Sequence, residues 1–108
     1  MGTLGLFIPE GSTQKGDINV DGNIRIEGTF QGTIICEHTF TLGKNASFHG
    51  NVECMEAHIM GSLKGNLRSF ETCTLYPTAR MTGLLDTKIA QLERGCTLQG
   101  EVFISGAS

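Results

Sequence analysis

Apolar and polar residues alternate with a period of two along most of this chain, which is the period of a β-strand and not of a helix. The stretch FHGNVEC, from Phe48 to Cys54, shows the pattern: phenylalanine, glycine, valine and cysteine alternate with histidine, asparagine and glutamate. No window of the sequence carries a 3.6-residue apolar stripe. The pattern therefore predicts an all-β fold without a substantial helix.

The stretch FHGNVEC is one copy of an internal repeat. Six copies align on a shared glycine, at intervals of 15 to 18 residues. They read QKGDINV, FQGTIIC, FHGNVEC, LKGNLRS, MTGLLDT and LQGEVFI, and they are centred on Gly16, Gly32, Gly50, Gly65, Gly83 and Gly100. Because all copies run in the same direction, equivalent strands must pair in parallel, one winding above the next. Parallel crossovers are nearly always right-handed, so we expect a right-handed parallel β-helix (β-solenoid) of about six windings.

Every second residue through the repeats is predicted to point into the core. This inward set is Ile18, Val20, Ile24, Ile26, Phe30, Ile34, Cys36, Phe40, Leu42, Phe48, Val52, Cys54, Ile59, Leu63, Leu67, Leu75, Met81, Leu85, Leu92, Leu98, Val102 and Ile104. It contains no lysine, arginine, aspartate or glutamate. One outward column is predicted to place Glu53, Arg68 and Asp86 side by side on successive windings, with alternating charge. A register error of one residue would bury these charges, so the alternation specifies the register.

Length and charge limit the functional classes. The 108 residues form one domain, and the formal charge of −3 arises from both signs interspersed along the chain. No basic run marks a nucleic-acid surface, so nucleic acid is not an expected partner. Fifteen glycines with only two prolines indicate many tight bends, and no phosphate-binding glycine motif is present. We therefore expect no nucleotide and no cofactor.

Cysteine and histidine are the residues that could carry chemistry. Cys36 and Cys54 lie four positions after the repeat glycine, where other copies have valine, serine, threonine or isoleucine. The position therefore selects for size, and we expect these thiols to be free and buried in a reducing compartment. Cys73 and Cys96 fall in other columns and complete no four-cysteine metal site. His38, His49 and His58 are expected on the outer surface, at offsets that are not equivalent. We predict no catalytic residue and no metal ligand.

The phased units GDINVDGNIRIEGTFQGTI, FTLGKNASFHGNV, TLYPTARMTGLL and LERGCTLQGEV resemble those of the bactofilins, bacterial polymer-forming cytoskeletal proteins. The resemblance extends from about Gly16 to Ile104, and DGNIRIEGTFQGTI is its most specific part. It implies a right-handed β-helix of six windings that assembles end to end into filaments without nucleotide. The resemblance also implies a cytoplasmic location at the inner face of the cell membrane. There the filaments would scaffold cell-wall synthesis enzymes and membrane proteins and set cell shape.

Three segments follow from this reading. Residues 1–15 are expected to form an incomplete first winding, residues 16–104 the β-helix polymerisation domain, and residues 105–108 a short C-terminal tail. A solenoid leaves unpaired backbone groups at both ends, and the sequence offers no helix to cover them. The predicted polymerisation interface comprises Leu6, Phe7 and Ile8 at one end and Val102, Phe103 and Ile104 at the other.

The apolar stretch LGLFIP is the predicted membrane contact, through Leu4, Leu6, Phe7 and Ile8. It is far shorter than the ~20 residues that a spanning helix needs, so it would touch the bilayer surface only. Outward apolar residues Ile35, Met55, Phe70 and Leu84 are further candidates for lateral pairing or membrane contact.

Two other functions are compatible with a solenoid. Hexapeptide acyltransferases and γ-class carbonic anhydrases are left-handed β-helices with about 18 residues per coil, and LGKNAS, from Leu42 to Ser47, fits their six-residue unit. Intervals of 15, 16 and 17 residues do not fit that unit, and no histidine base or zinc-binding histidine set is recognisable. A non-polymerising adaptor, which binds partners through its flat faces, is the other alternative.

Overall fold

A computed structural model describes the backbone of residues 5–104 and the side chains from Phe7 onward, so Leu4 lies outside the described residues. Nine strands form one sheet, and no helix occurs in this part of the chain. The strands are β1 (Gly5–Ile8), β2 (Thr13–Val20), β3 (Asn23–Ile26), β4 (Thr29–Cys36), β5 (Thr39–Leu42), β6 (Ser47–Ile59), β7 (Ser62–Leu75), β8 (Arg80–Leu92) and β9 (Thr97–Ile104). The predicted all-β class is confirmed.

All strand pairs in the sheet are parallel, and each strand pairs with the equivalent strand of the next winding. The β2 residues Thr13 to Val20, for example, pair with Thr29 to Cys36 of β4, residue for residue. The chain thus coils into a β-solenoid of about six windings, as the repeat predicts. The right-handed coil stays a prediction.

The six repeat glycines form one column, in register from β2 to β9. Each has a positive φ, between 124° and 140°, which residues with a side chain rarely adopt. A Cβ on Gly50 would overlap the carbonyl oxygen of Gly32 below it, and every glycine of the column from Gly32 onward meets the same obstacle. The column therefore needs glycine both for its backbone conformation and for the close approach of successive windings.

These glycines divide each long strand into two straight runs, so a winding has three runs and the solenoid three faces. Face one consists of β1, β3, β5 and the C-terminal ends of β6, β7 and β8. Face two consists of the residues before the glycines, such as 47–49 and 62–64. Face three consists of the residues after them, such as 51–54 and 66–69.

The corner between face one and face two exists in two lengths. Four-residue corners close with a β-turn, as where the Ala46 N–H donates to the Gly43 carbonyl at 3.0 Å and the Ala79 N–H donates to the Tyr76 carbonyl at 2.8 Å. Two-residue corners follow Ile26 and Ile59. These shorter corners account for the two shortest repeat intervals, of 16 residues from Gly16 to Gly32 and of 15 residues from Gly50 to Gly65.

The core lies inside the coil and contains most of the predicted inward set. Among the described side chains no charged one is buried. The stacked rings of Phe30 and Phe48 lie 5.4 Å apart, and the Phe40 ring meets Phe48 edge-on at 5.9 Å. Ile8, Ala57 and Cys73 are also buried, although the inward set does not include them.

Five members of the inward set are not fully buried. Ile18 and Leu98 are half-buried, and Leu92, Val102 and Ile104 are exposed. All five belong to the first or last described winding. The equivalent residues of the neighbouring winding are buried, as Thr87 is next to Ile104. The five side chains keep part of their surface exposed because no described winding packs on their other side.

The predicted charge column on face three is confirmed. The Arg68 guanidinium lies 3.7 Å from the carboxylates of both Glu53 and Asp86, on the windings below and above. All three side chains are partly exposed, so each ion pair stabilises the fold only weakly.

The glycine column generates the first prediction. Gly50→Ala should lower the free energy of unfolding by at least ~2 kcal/mol, because it adds backbone strain and a clash with Gly32. Gly16→Ala is the matched control, since Gly16 has a φ of 126° and no atom within 4 Å of the added Cβ. Thermal melts by circular dichroism at one protein concentration should show a clearly larger loss for Gly50→Ala. Equal losses would contradict the close-approach argument.

Candidate assembly interface at the ends of the solenoid

The last described winding exposes the interior of the solenoid. Leu92 is 53% exposed and Ile104 is 51% exposed, whereas their neighbours one winding below, Leu75 and Thr87, are fully buried. Val102, above the buried Leu85, is also exposed. This surface is therefore a cross-section of the core that nothing in the described chain covers.

Two outward side chains extend the same apolar surface. Phe103 is 53% exposed and lies next to Asp86 of the winding below, and Ile89 is exposed at the start of the last face-one run. The β9 strand pairs only with β8 among the described residues, so its other edge offers unpaired backbone donors and acceptors. Val102, Phe103 and Ile104, the predicted interface residues at this end, thus lie together on one open strand.

The first winding differs from the last. The β1 strand pairs with β3 on one side, and Phe7 is exposed. Ile8 is only 3% exposed because its side chain packs into the core next to Ile26 of the following winding. Leu6 belongs to β1, but its side chain, like the whole of Leu4, lies outside the described residues. This end also has a polar position over the core, since the exposed Gln14 pairs with Phe30.

The three cysteines inside the solenoid are free and buried. Burial raises the pKa of the Cys36 thiol, raises that of Cys54 further, and raises that of Cys73 to about 12. A thiolate is the reactive form of cysteine, so these groups are poor nucleophiles and poor metal ligands near neutral pH. The predicted structural role of Cys36 and Cys54 agrees with this environment.

The column that contains Cys36 and Cys54 has a second property, which the sequence pattern does not reveal. The Cys36 thiol donates to the Gly22 carbonyl at 3.0 Å. The Ser69 hydroxyl oxygen lies 2.8 Å and 2.9 Å from the carbonyl oxygens of Met55 and Thr72. The column therefore favours a small side chain that can donate a hydrogen bond to the adjacent corner. The sequence does not show this property, because the carbonyl oxygens come from two windings and meet at the corner only in the folded chain.

The histidines lie on the outer surface, as predicted. His38 and His49 are exposed, and the half-buried His58 has its Nδ1 3.1 Å from the Tyr76 hydroxyl oxygen. Residues 5–104 contain no group of three or more histidine, cysteine, aspartate or glutamate side chains that could hold a metal ion.

The outward apolar residues lie on the flanks and not at the ends. Ile35, Met55 and Phe70 are exposed, and Leu84 is half-buried. The Arg68 guanidinium lies 6.0 Å from the centre of the Phe70 ring, within cation–π range. Residues 5–104 contain no helix that is long and apolar enough to cross a membrane.

Comparison with known proteins gives one match. The family model described as Bactofilin, polymer-forming cytoskeletal, matches residues 6–103. None of the curated proteins and none of the solved structures that were compared matches the chain.

The second prediction concerns the thiols. At pH 8, a chromogenic disulfide reagent should label the half-buried Cys96 in the folded, dilute protein and leave the three buried cysteines unreacted. With a raised pKa of about 12, Cys73 stays almost fully protonated at this pH. Cys96→Ser should abolish fast labelling, and denaturant should expose all remaining thiols. Fast labelling of the Cys96→Ser protein under native conditions would refute the buried arrangement.

Proposed function

Since this chain belongs to the bactofilin family of polymer-forming cytoskeletal proteins, we propose that it assembles end to end, without nucleotide, into filaments that organise cell-wall synthesis and cell shape. The observation that carries the proposal is the open core cross-section at Leu92, Val102 and Ile104. No catalytic role is proposed, because the family is cytoskeletal and three of the four cysteines are buried.

The energetics of the open end favour stacking. Full burial of a valine, leucine or isoleucine side chain contributes about 1.5–3 kcal/mol relative to full exposure. Burial of each half-exposed side chain between two subunits would therefore contribute about 1 kcal/mol to the free energy of association. The unpaired edge of β9 would add backbone hydrogen bonds to a strand of another subunit. The energy comes from burial and strand pairing, so assembly of this kind requires no nucleotide.

The first winding supplies the other end of the subunit in this proposal. In this proposal residues 16–104 are the polymerisation domain, and the described part of residues 1–15 contributes β1 and the start of β2 to the first winding. Leu6 and Phe7 contribute to the interface, and Ile8 contributes through the β1 backbone, because its side chain is already buried.

Location and partners form the remaining part of the proposal. Leu4, Leu6, Phe7 and Ile8 belong to an apolar segment that would touch the inner face of the cell membrane. Phe7 presents an exposed ring for this contact, whereas the Ile8 side chain is buried in the core and would take no part in it. The filament would then hold cell-wall synthesis enzymes or membrane proteins at that surface from the cytoplasmic side. Self-association is the central interaction, and neither nucleic acid nor a cofactor is part of it.

The third prediction tests the open end. Phe103→Arg or Ile104→Asp should leave the chain folded but should give short filaments or monomers, because a charge would be buried in the stacked interface. Electron microscopy and high-speed sedimentation without nucleotide measure filament length, and circular dichroism reports the fold.

Matched controls exist on the flanks. Phe70 is 52% exposed, almost the same as Phe103, and Ile35 is exposed on face three. Phe70→Arg and Ile35→Asp make the same chemical changes away from the ends, and filaments should keep their length. Filaments of normal length in Phe103→Arg and Ile104→Asp would refute the proposed interface.

A further inference from the structure

The outward side of face two carries cations and no carboxylate. Lys15, Lys64 and Arg80 are exposed there, together with His49. All other outward residues of this face, on all six windings, are serine, threonine or glutamine. We call this surface the basic face. It is notable in a chain of net charge −3, because acidic residues must then be concentrated elsewhere.

The outward side of face three, across the glycine bend, has the opposite charge. Four carboxylates, Asp17, Glu53, Asp86 and Glu101, project from it, and Arg68 is the one cation among its described outward residues. Arg68 is shared between Glu53 and Asp86, so the carboxylates keep a clear excess. We call this surface the acidic face.

We propose that filaments of this chain associate side by side, with the basic face of one subunit docked on the acidic face of a second copy in the neighbouring filament. This inference rests on the proposed function, because it requires filaments. Charge complementarity carries the inference: one chain displays both faces, so a second copy is a partner of matching charge. Each filament keeps its other charged face free, so lateral pairing can continue from filament to filament.

Geometry makes the second copy a better occupant than a structureless polyanion. The two faces belong to the same solenoid, so their charged rows have the same spacing along the axis, ~4.8 Å per winding. Individual exposed ion pairs are weak. A filament repeats both faces in every subunit, however, and the contacts become multivalent once two filaments align. The short serine and threonine side chains of the basic face also let another flat sheet approach closely.

The experiment uses the purified full chain at about 20 mM and about 500 mM NaCl, because salt screens contacts between exposed charges. High-speed sedimentation reports all filaments, and low-speed sedimentation with electron microscopy reports bundles only. The wild type should form bundles at low salt and single filaments at high salt. The variant Lys15→Glu/Lys64→Glu/Arg80→Glu should keep its filaments and lower the low-speed pellet at low salt by at least about tenfold.

Two controls separate face pairing from general repulsion. The variant Arg25→Glu/Lys44→Glu/Lys88→Glu changes the net charge by the same amount as the face-two variant, but at exposed positions outside both faces. It should still form bundles. Asp17→Lys/Glu101→Lys makes the acidic face basic, so these filaments alone should stay single. Mixed with the Lys15→Glu/Lys64→Glu/Arg80→Glu filaments, they should form bundles again.

The outcomes are distinguishable. Single wild-type filaments at low salt would overturn the lateral inference alone, and so would bundles that persist in the face-two variant. Absence of any high-speed pellet would contradict the proposed function and the inference with it. Vesicles with anionic lipid provide the other test. If wild-type filaments bind them through the basic face but form no bundles, the face belongs to a lipid surface and the inference is wrong.

Discussion

The close stacking of glycine on glycine is the constraint on which the rest of this solenoid depends. From Gly32 onward, each winding approaches the one below so closely at this column that a Cβ on the glycine would overlap a backbone carbonyl. The positive φ at the same residues turns each strand and separates face two from face three. Fixing the register at this column fixes it along faces two and three, whereas the register shifts before face one on β6, β7 and β8. The core columns of these two faces, the charge ladder around Arg68 and the composition of both outer surfaces all follow from that alignment.

Much of this architecture could be predicted from the sequence, because a two-residue alternation and a repeat encode both strand and register. The exceptions have local causes. Ala57 and Cys73 were missed because the register shifts between Cys54 and Glu56 and between Ser69 and Thr72, which changes the alternation phase. Leu92 and Ile104 were assigned to the core by their columns, but burial also needs a winding above them. The alternation alone does not reveal the charged faces, because their residues lie one or more windings apart in the chain and come together only on the folded surface.

The position four residues after each glycine shows how one column can serve different roles. Inside the stack it holds Cys36, Cys54, Ser69 and Thr87, all buried, and at the last winding it holds the exposed Ile104. The buried members need small size, and several of them hydrogen-bond a corner carbonyl. The exposed member contributes apolar surface at the open end. Cys54 lies near His49 and Glu53 in the sequence, but its role is to pack in the core. The alternation places His49 and Glu53 on the opposite side of the strand.

The nearly constant repeat length has a consequence for folding kinetics. Each strand pairs with chain 15 to 18 residues away, so every winding closes a loop of similar entropy, and structure can grow one winding at a time from any nucleus. Each finished winding is the template on which the next one forms. The last described winding presents the same kind of template to solvent. In the proposed filament, folding within a chain and elongation between chains are therefore successive steps of one templated growth process.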